Sequence, residues 1–550
     1  VTTRIITVTV NGVNDAPTRT GAATVTLPAG TEDTDGGSGD TVSNLFGGSF
    51  SDAKDAVTGG SSANTFAGIA ITTNSAIAAQ GKWQYSTDNG NTWTDLPAVS
   101  ATSALLLDTS AKLRFDPADD FHGTPGGLTV RLLDDSDSAS VSGTANVSGS
   151  NSGGATRYSD SSNAVTLGTT VANVNDRPTI TGGNLTATED VTTGAGTLVS
   201  TLGTTLGFTD STDNQSSITG GGNAATAFGG IAITGNSTPA GEGTWQYTTD
   251  GGSTWVDVPT TGLADASALI LPTTAQLRFN PTAANYNGSV TGGLTVHAAD
   301  SAQTFATSAD ISSALTQTGT WSAAQTLGAT VAPQNDAPVF THTATNPTFT
   351  ENGDTGLGTA TPVKLLSSGM VSDIDLSTTL AINGSTFGAG SVTVTLTDGI
   401  AGDVLQLDGL AAGSNGIASI TGGSGNTPLV ITFTNAATVA QVEAVLAAVE
   451  YKNTSDDPSD IKSGTPKTTR AYTVVLSDGN NEQSGGNAGG PAPLTASKTG
   501  IITLVAVNDP PVATNNTNSV TEDGGVAAVA TGNVVTDDDG NGVDSDPDTP

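Results

Sequence analysis

The sequence predicts an all-β chain of tandem antiparallel β-sandwich modules in an elongated array, with one short helix in the third module. Three observations carry this. Gly fills 70 of 550 positions while Met fills one, Met370, a composition of turns and strands more than of helices. Alternating apolar runs such as "IITVTVNGV" and "GIITLVAV" have the period of half-buried strands. The pattern Asn-Asp-x-Pro closes such runs four times, at Asn14–Pro17, Asn175–Pro178, Asn335–Pro338 and Asn508–Pro511.

Those copies stand 161, 160 and 173 residues apart, a spacing that suits whole domains. The proline stops each strand from continuing as an inner sheet strand and starts the next module extended. The expected divisions are the final strand of a preceding module (1–13), modules at 14–174, 175–334 and 335–507, and the start of a fourth at 508–550. Val1 opens in mid-strand, so the chain reads as a window on something longer. Neither a signal peptide nor an 18-residue apolar run is present, so no segment is expected to span a bilayer.

Modules one and two are near repeats. "FAGIAITTNSAIAAQGKWQYSTDNGNTWTDL" from Phe66 matches "FGGIAITGNSTPAGEGTWQYTTDGGSTWVDV" from Phe228, and "GGLTVRLLDDS" matches "GGLTVHAADS". Asp88-Asn89-Gly90 and Asp250-Gly251-Gly252 tolerate positive φ and predict hairpin turns. Trp83 and Trp93, and Trp245 and Trp255, flank them. Two readings stay open, a sugar-stacking platform or aromatic pairs that stabilise the hairpin and its thin core. Trp321 lies outside this pattern. In the third module Val439, Val442, Val445, Leu446 and Val449 recur at helical spacing and predict about three helical turns.

The net charge is −36, from 52 acidic and 16 basic residues. Such a surface repels phosphate backbones and anionic lipid, which disfavours nucleic-acid and membrane-surface binding. Cysteine is absent, so disulfide staples are too, leaving bound metal as the substitute. The acidic residues recur in register. Each junction is followed by a Thr-Glu-Asp/Asn triplet (Glu32, Glu189, Glu351, Glu522) and then by an aspartate pair (Asp52 and Asp55, Asp210 and Asp213, Asp373 and Asp375, Asp537 and Asp539). A further aspartate ends the penultimate strand of each full module, at Asp135, Asp300 and Asp478. Close carboxylates repel one another unless a cation joins them. Ca²⁺ accepts six to eight oxygens in irregular loops, whereas Mg²⁺ demands a tighter octahedron. Soft metals are excluded by the missing cysteines and by three scattered histidines, His122, His297 and His342.

The Asn-Asp-x-Pro linkers, the strand before each of them and the "HAAD" at 297–300 resemble the cadherin-like and VCBS-type tandem repeats of giant bacterial surface adhesins, over nearly the whole chain. That resemblance implies calcium shared between consecutive domains. Carried over by motif, one junction uses Glu32, Asn175, Asp176, Asp210, Asp213 and Asp300. The next uses Glu189, Asn335, Asp336, Asp373, Asp375 and Asp478. The last uses Glu351, Asn508, Asp509, Asp537 and Asp539, and the opening linker contributes Asn14, Asp15, Asp52, Asp55 and Asp135. The linkers lack the family's leading Asp, an Asp-Arg-Glu motif is missing, and two modules carry Asp-x-x-Asp in place of Asp-x-Asp, so one ion per junction is expected. "DDDGNGVDSDPD" places Asp537, Asp539, Asn541, Gly542 and Asp548 at the spacing of an EF-hand loop without flanking helices, an acidic calcium loop only.

Neither a Walker loop, nor HExxH, nor GxSxG occurs, and no enzyme is expected. The expected function is an extracellular, secreted or cell-surface structural and adhesive stalk. A self-assembling filament or surface layer is the alternative, and a carbohydrate-binding array the third reading. Expected partners are neighbouring modules, copies of the same protein, and cell-surface or matrix glycans.

Overall fold

A computed structural model of the chain describes residues 3–8, 10–58, 60–191, 194–281, 285–351, 360–374, 387, 390–479, 493–520, 522, 532–533, 535–538, 540 and 542–546. The expected ligands Asp375 and Asp539, and Asn541 and Asp548 of the acidic loop, lie outside these residues. The chain is all-β, built of antiparallel β-sandwich modules in tandem. It divides into two compact units, one holding residues 1–186, 193–280 and 290–330, the other 187–192, 281–289 and 331–550.

In the first sandwich one sheet runs in the order Thr144–Ala145, Ala104–Asp108, Phe66–Asn74, Leu128–Asp134, Val165–Gly168, Thr24–Thr26. The facing sheet runs Asp40–Thr41, Lys112–Pro117, Gly81–Ser86, Thr94–Asp95. Ile69, Ile71, Val130 and Leu132 of the first meet Trp83, Leu113 and Phe115 of the second in one core. The second sandwich repeats the arrangement. Leu294–Ala299, Gly230–Asn236, Ala268–Pro272 and Ala306–Ala309 follow one another in one sheet, and Thr197–Leu198, Gln276–Asn280, Thr244–Thr248 and Val256–Asp257 in the other.

The central strands of these two modules are apolar on both faces, with five consecutive buried residues in Phe66–Asn74 and again in Gly230–Asn236. A strand flanked on one side only alternates, so a continuous run needs a second cover. A satellite core supplies it. In the first module Ala70, Leu106, Leu133 and Val147 pack outside the sheet with Tyr158. In the second, Ala232, Ile270, Ala299 and Ile311 pack with Trp321, which is the role of that tryptophan.

The third sandwich behaves differently. Its strand Ser391–Thr397 alternates strictly, with Val392, Val394 and Leu396 buried. It lies between Leu429–Phe433 and Thr469–Ser477, and Thr495–Val505 then pairs antiparallel with the latter and parallel with Thr348–Thr350. The helix expected from the apolar spacing spans Val439–Ala448, and it begins with a capping box between Thr438 and Gln441. Two shorter helices, Val42–Phe46 and Val199–Thr205, lie in the first two modules. Each spans under two turns, too short to show a period, and packing of Val42 and Phe46 or Val199 and Leu202 holds it.

A buried ion pair lies inside the third sandwich. Arg470 and Asp403 are both fully buried, with Nε and Oδ2 2.7 Å apart. Tyr451 and Asn453 donate to the same carboxylate, and Arg470 also donates to the Lys467 and Pro458 carbonyls. Replacing Arg470 by Met leaves a buried charge without its partner, an expected loss of about 3–5 kcal/mol. Urea denaturation of the full chain, read by amide exchange in Thr469–Ser477, measures this; an unchanged midpoint would count against the pairing.

Candidate metal centres at the junctions

One glutamate geometry recurs at three junctions. The Glu32 backbone N–H donates to the Ala172 carbonyl, and Glu189 and Glu351 do the same to Ala332 and Val505. Each side chain then turns back and accepts the N–H just before a linker asparagine. Val174 donates to Glu32 at 2.6 Å, Gln334 to Glu189 at 2.6 Å and Val507 to Glu351 at 3.3 Å. Glu32 and Glu189 are fully buried, and Glu351 nearly so.

The linker asparagine and aspartate reach the following sandwich. Asn14, Asn175 and Asn335 donate through Nδ2 to Asp134, Asp300 and Asp478 at 3.5, 3.1 and 2.9 Å. The Asp15 N–H donates to Asp55 at 3.0 Å and the Asp176 N–H to Asp213 at 3.2 Å. Asp52 and Asp210 accept from the Asn64 and Thr226 backbones, both at 2.6 Å. The structure thus brings Glu32, Asn175, Asp176, Asp210, Asp213 and Asp300 to one junction; at the next, Glu189 holds Gln334 and Asn335 holds Asp478, with Asp373 buried.

Several of the expected acidic and linker residues are exposed instead. Asp135 is exposed and bonds Thr65 at 2.7 and 2.6 Å; the fully buried Asp134 takes the place equivalent to Asp300. Strand alternation decides between the neighbours, because only one side chain of an adjacent pair points into the junction. Asp537 is exposed and accepts the Asn533 N–H within a turn, and Asn508 is exposed while Asp509 is buried. Glu522 is also exposed.

At the junction of the first two sandwiches Asp33, Asp120 and Asp176 bring carboxylate oxygens within 4.8 Å of one another, the one such triad among the described residues. Asp33 and Asp120 both adopt left-handed backbone, φ 58° and 60°, a region aspartate tolerates. Asp190 and Asn285 repeat these angles at 58° and 59°, with the Asn285 N–H on Asp190 as the Asp120 N–H is on Asp33. His122, beside Asp120, places Nδ1 3.2 Å from Glu32, and Asn287 holds the matching position on Glu189 at 3.1 Å. Histidine is therefore not scattered at this point of the chain. His297, opposite Ala232 on the outer face of its sheet, and His342 are also buried.

The electrostatics are unfavourable without a cation. Burial, then Asp120, Asp33, Asp213 and Glu32, push the Asp176 carboxyl up to about 6. Burial also raises Asp120, Asp213, Asp300 and Glu32. Asp176 Oδ2 and Asp210 Oδ1 are buried without a hydrogen-bond partner among the described residues. Buried carboxylate oxygens normally have partners. Carboxylates and amide oxygens in irregular loops are the donor set that Ca²⁺ takes, so the residues present fit that ion.

The tryptophans divide. Trp83 and Trp245 are buried edge-on against Phe115 and Phe279, at centroid distances of 5.3 and 5.4 Å. Trp93 and Trp255 are half-buried under the Arg114 and Arg278 guanidinium groups, at 4.4 and 3.9 Å. Asp88 and Asp250 close the two hairpins by accepting from Thr92 and Thr254. These contacts are those of hairpin stabilisation.

No protein-family model matches the sequence, and no curated protein matches it. Among solved structures, domains EC1–3 of mouse clustered protocadherin PcdhgC3 align over 88% of this chain and 99% of theirs, at 11% identity and a TM-score of 0.31. Drosophila N-cadherin EC1–3 covers 78% and 90% at 10% identity, TM-score 0.15. Chicken CNTN1 FN1–FN3 covers 80% and 99% at 11% identity, TM-score 0.16. Scores this low carry no weight for the site, and the sandwich fold rests on the sheet pairing described above. Among the described residues no helix is long and apolar enough to cross a membrane.

A carboxyl with a raised pKa contributes stability below its unfolded value, near 4, that is lost as pH rises through its folded value. Metal-free protein should therefore lose thermal stability between about pH 4 and pH 6, the range set by Asp176. Asp176→Asn should raise the metal-free melting temperature at pH 7 and flatten that slope. A melting curve on which the substitution lowers stability at pH 7 without metal would contradict this account.

Proposed function

We propose that this chain is a stretch of an extracellular, non-catalytic adhesive or structural stalk whose cadherin-like modules are stiffened by calcium at their junctions. The convergence of Asp33, Asp120 and Asp176 around a buried, unpartnered Asp176 oxygen is the observation that carries it. Glu32, Asp213 and Asp210 stand ready as further oxygen donors. Glu189, Asp190, Asn285, Asn287 and Asp336 would form the next centre, with asparagine amides replacing two carboxylates and the histidine. Bound Ca²⁺ would reverse the sign of the carboxylate repulsion and fix linkers that otherwise rest on a few hydrogen bonds. The module divisions at 14–174, 175–334, 335–507 and 508–550 belong to this proposal, as does a large bacterial surface adhesin as the parent protein.

Titration calorimetry of the full chain with Ca²⁺ should show binding with Kd on the order of 10⁻⁴–10⁻³ M, the range of extracellular modules. The double variant Asp120→Asn/Asp176→Asn should lose one class of sites. Small-angle scattering should show a changed maximum dimension on chelation. Absent calcium heats, with identical scattering curves, would remove the ion reading.

A further inference from the structure

The first junction also carries a contact that involves no carboxylate. The loop between Asp213 and Phe228 of the second sandwich is four residues longer than its counterpart between Asp55 and Phe66. It folds into its own narrow hairpin, with the Gln215 N–H on the Gly222 carbonyl at 2.9 Å and the Gly221 N–H on the Ile218 carbonyl at 2.8 Å. The tip, Ile218 to Gly222, lies against the end of the first sandwich, and both belong to one compact unit.

Three hydrogen bonds join the two. Gln80 Nε2 donates to the Thr219 carbonyl at 2.6 Å, the Thr124 N–H to Gly220 at 2.8 Å, and the Gly222 N–H to the His122 carbonyl at 2.9 Å. Ile218 packs on the first sandwich core. The approach is so close that a Cβ on Gly123 would stand 2.2 Å from the Gly220 carbonyl oxygen, and one on Gly220 2.1 Å from that of Thr124. Gln80 is itself fixed, because its Oε1 accepts the Ile77 and Gly126 N–H groups at 3.0 and 3.1 Å. The matching residue of the second module is Glu242, whose carboxylate cannot donate.

We propose that residues 214–224 are a metal-independent latch that holds the first two sandwiches in one orientation, through a receptor surface of Gln80, Gly123 and Thr124. A cation at Asp33, Asp120 and Asp176 then relieves carboxylate repulsion at this junction without setting its orientation, and orientation depends on the ion only at junctions that lack the latch. Backbone hydrogen bonds and a packed isoleucine do not respond to a chelator, whereas a carboxylate cage does.

The chain has no cysteine, so a labelled pair is easily introduced. Nitroxides at Ser142→Cys and Thr260→Cys, both exposed and one in each sandwich, report the distance by pulsed electron resonance. In the full chain the distribution should keep its width when calcium is replaced by EDTA. Under EDTA, Gln80→Glu/Ile218→Ser should broaden it, as should Gly220→Val, with the circular dichroism of each variant unchanged. Broadening of the unsubstituted chain by EDTA overturns the latch while leaving the calcium reading in place. Variants as narrow as the parent under EDTA overturn it too. Calcium heats in the same samples judge the ion reading separately.

Discussion

Much of the junction geometry depends on one interaction, the buried glutamate that accepts the N–H preceding the linker asparagine. Its own N–H is tied to the last strand of its module through Ala172, Ala332 or Val505. Its carboxylate then fixes the point where the chain leaves, through Val174, Gln334 or Val507. A charged acceptor with a short backbone bond is stronger than a neutral pair and tolerates burial better. With that exit fixed, asparagine and aspartate one and two residues later are aimed at the next sandwich, which is where Asn175 and Asn335 find their partners.

The acidity therefore has two components. Part is ordinary exposed charge. Another part is concentrated at the linkers, where burial and mutual repulsion raise Asp176, Asp213 and Asp300 together. Asp88 shows the opposite case. It is exposed and held down to about 2 by Thr92 and Ser86 hydrogen bonds, so its charge needs no cation. Hydrogen-bond supply, more than the number of acidic groups, separates the turn aspartates from the junction aspartates.

The first two sandwiches bury both faces of their central strands, and the third buries one. This difference follows from the segments after Asp134 and Asp300, which fold over the outer face and seat Tyr158 and Trp321 there. The third sandwich also encloses a fully buried ion pair, Arg470 with Asp403. The repeat is thus one of strand order and junction chemistry, with the cores filled differently.

Fold class, the recurrence of the junctions, the positions of Glu32, Asn175 and Asp176 and the helix at Val439–Ala448 were legible in the sequence. They depend on local pattern, strand period, turn chemistry and helical spacing, which neighbouring residues set among themselves. Asp33, Asp120 and His122 were not recognised as companions of Asp176, although the match of Asp120 and His122 to Asn285 and Asn287 was a usable signal. Likewise the alignment of Asp134 with Asp300 marked the correct aspartate, and the choice of Asp135 missed it. Tertiary structure alone decided which carboxylates meet. Asp33 and Asp120 stand far apart along the chain and touch because strand pairing and two left-handed residues turn their loops to the same end of the sandwich. The loop from Asp213 to Ala224 gave no period or motif, and its role came from what it packs against.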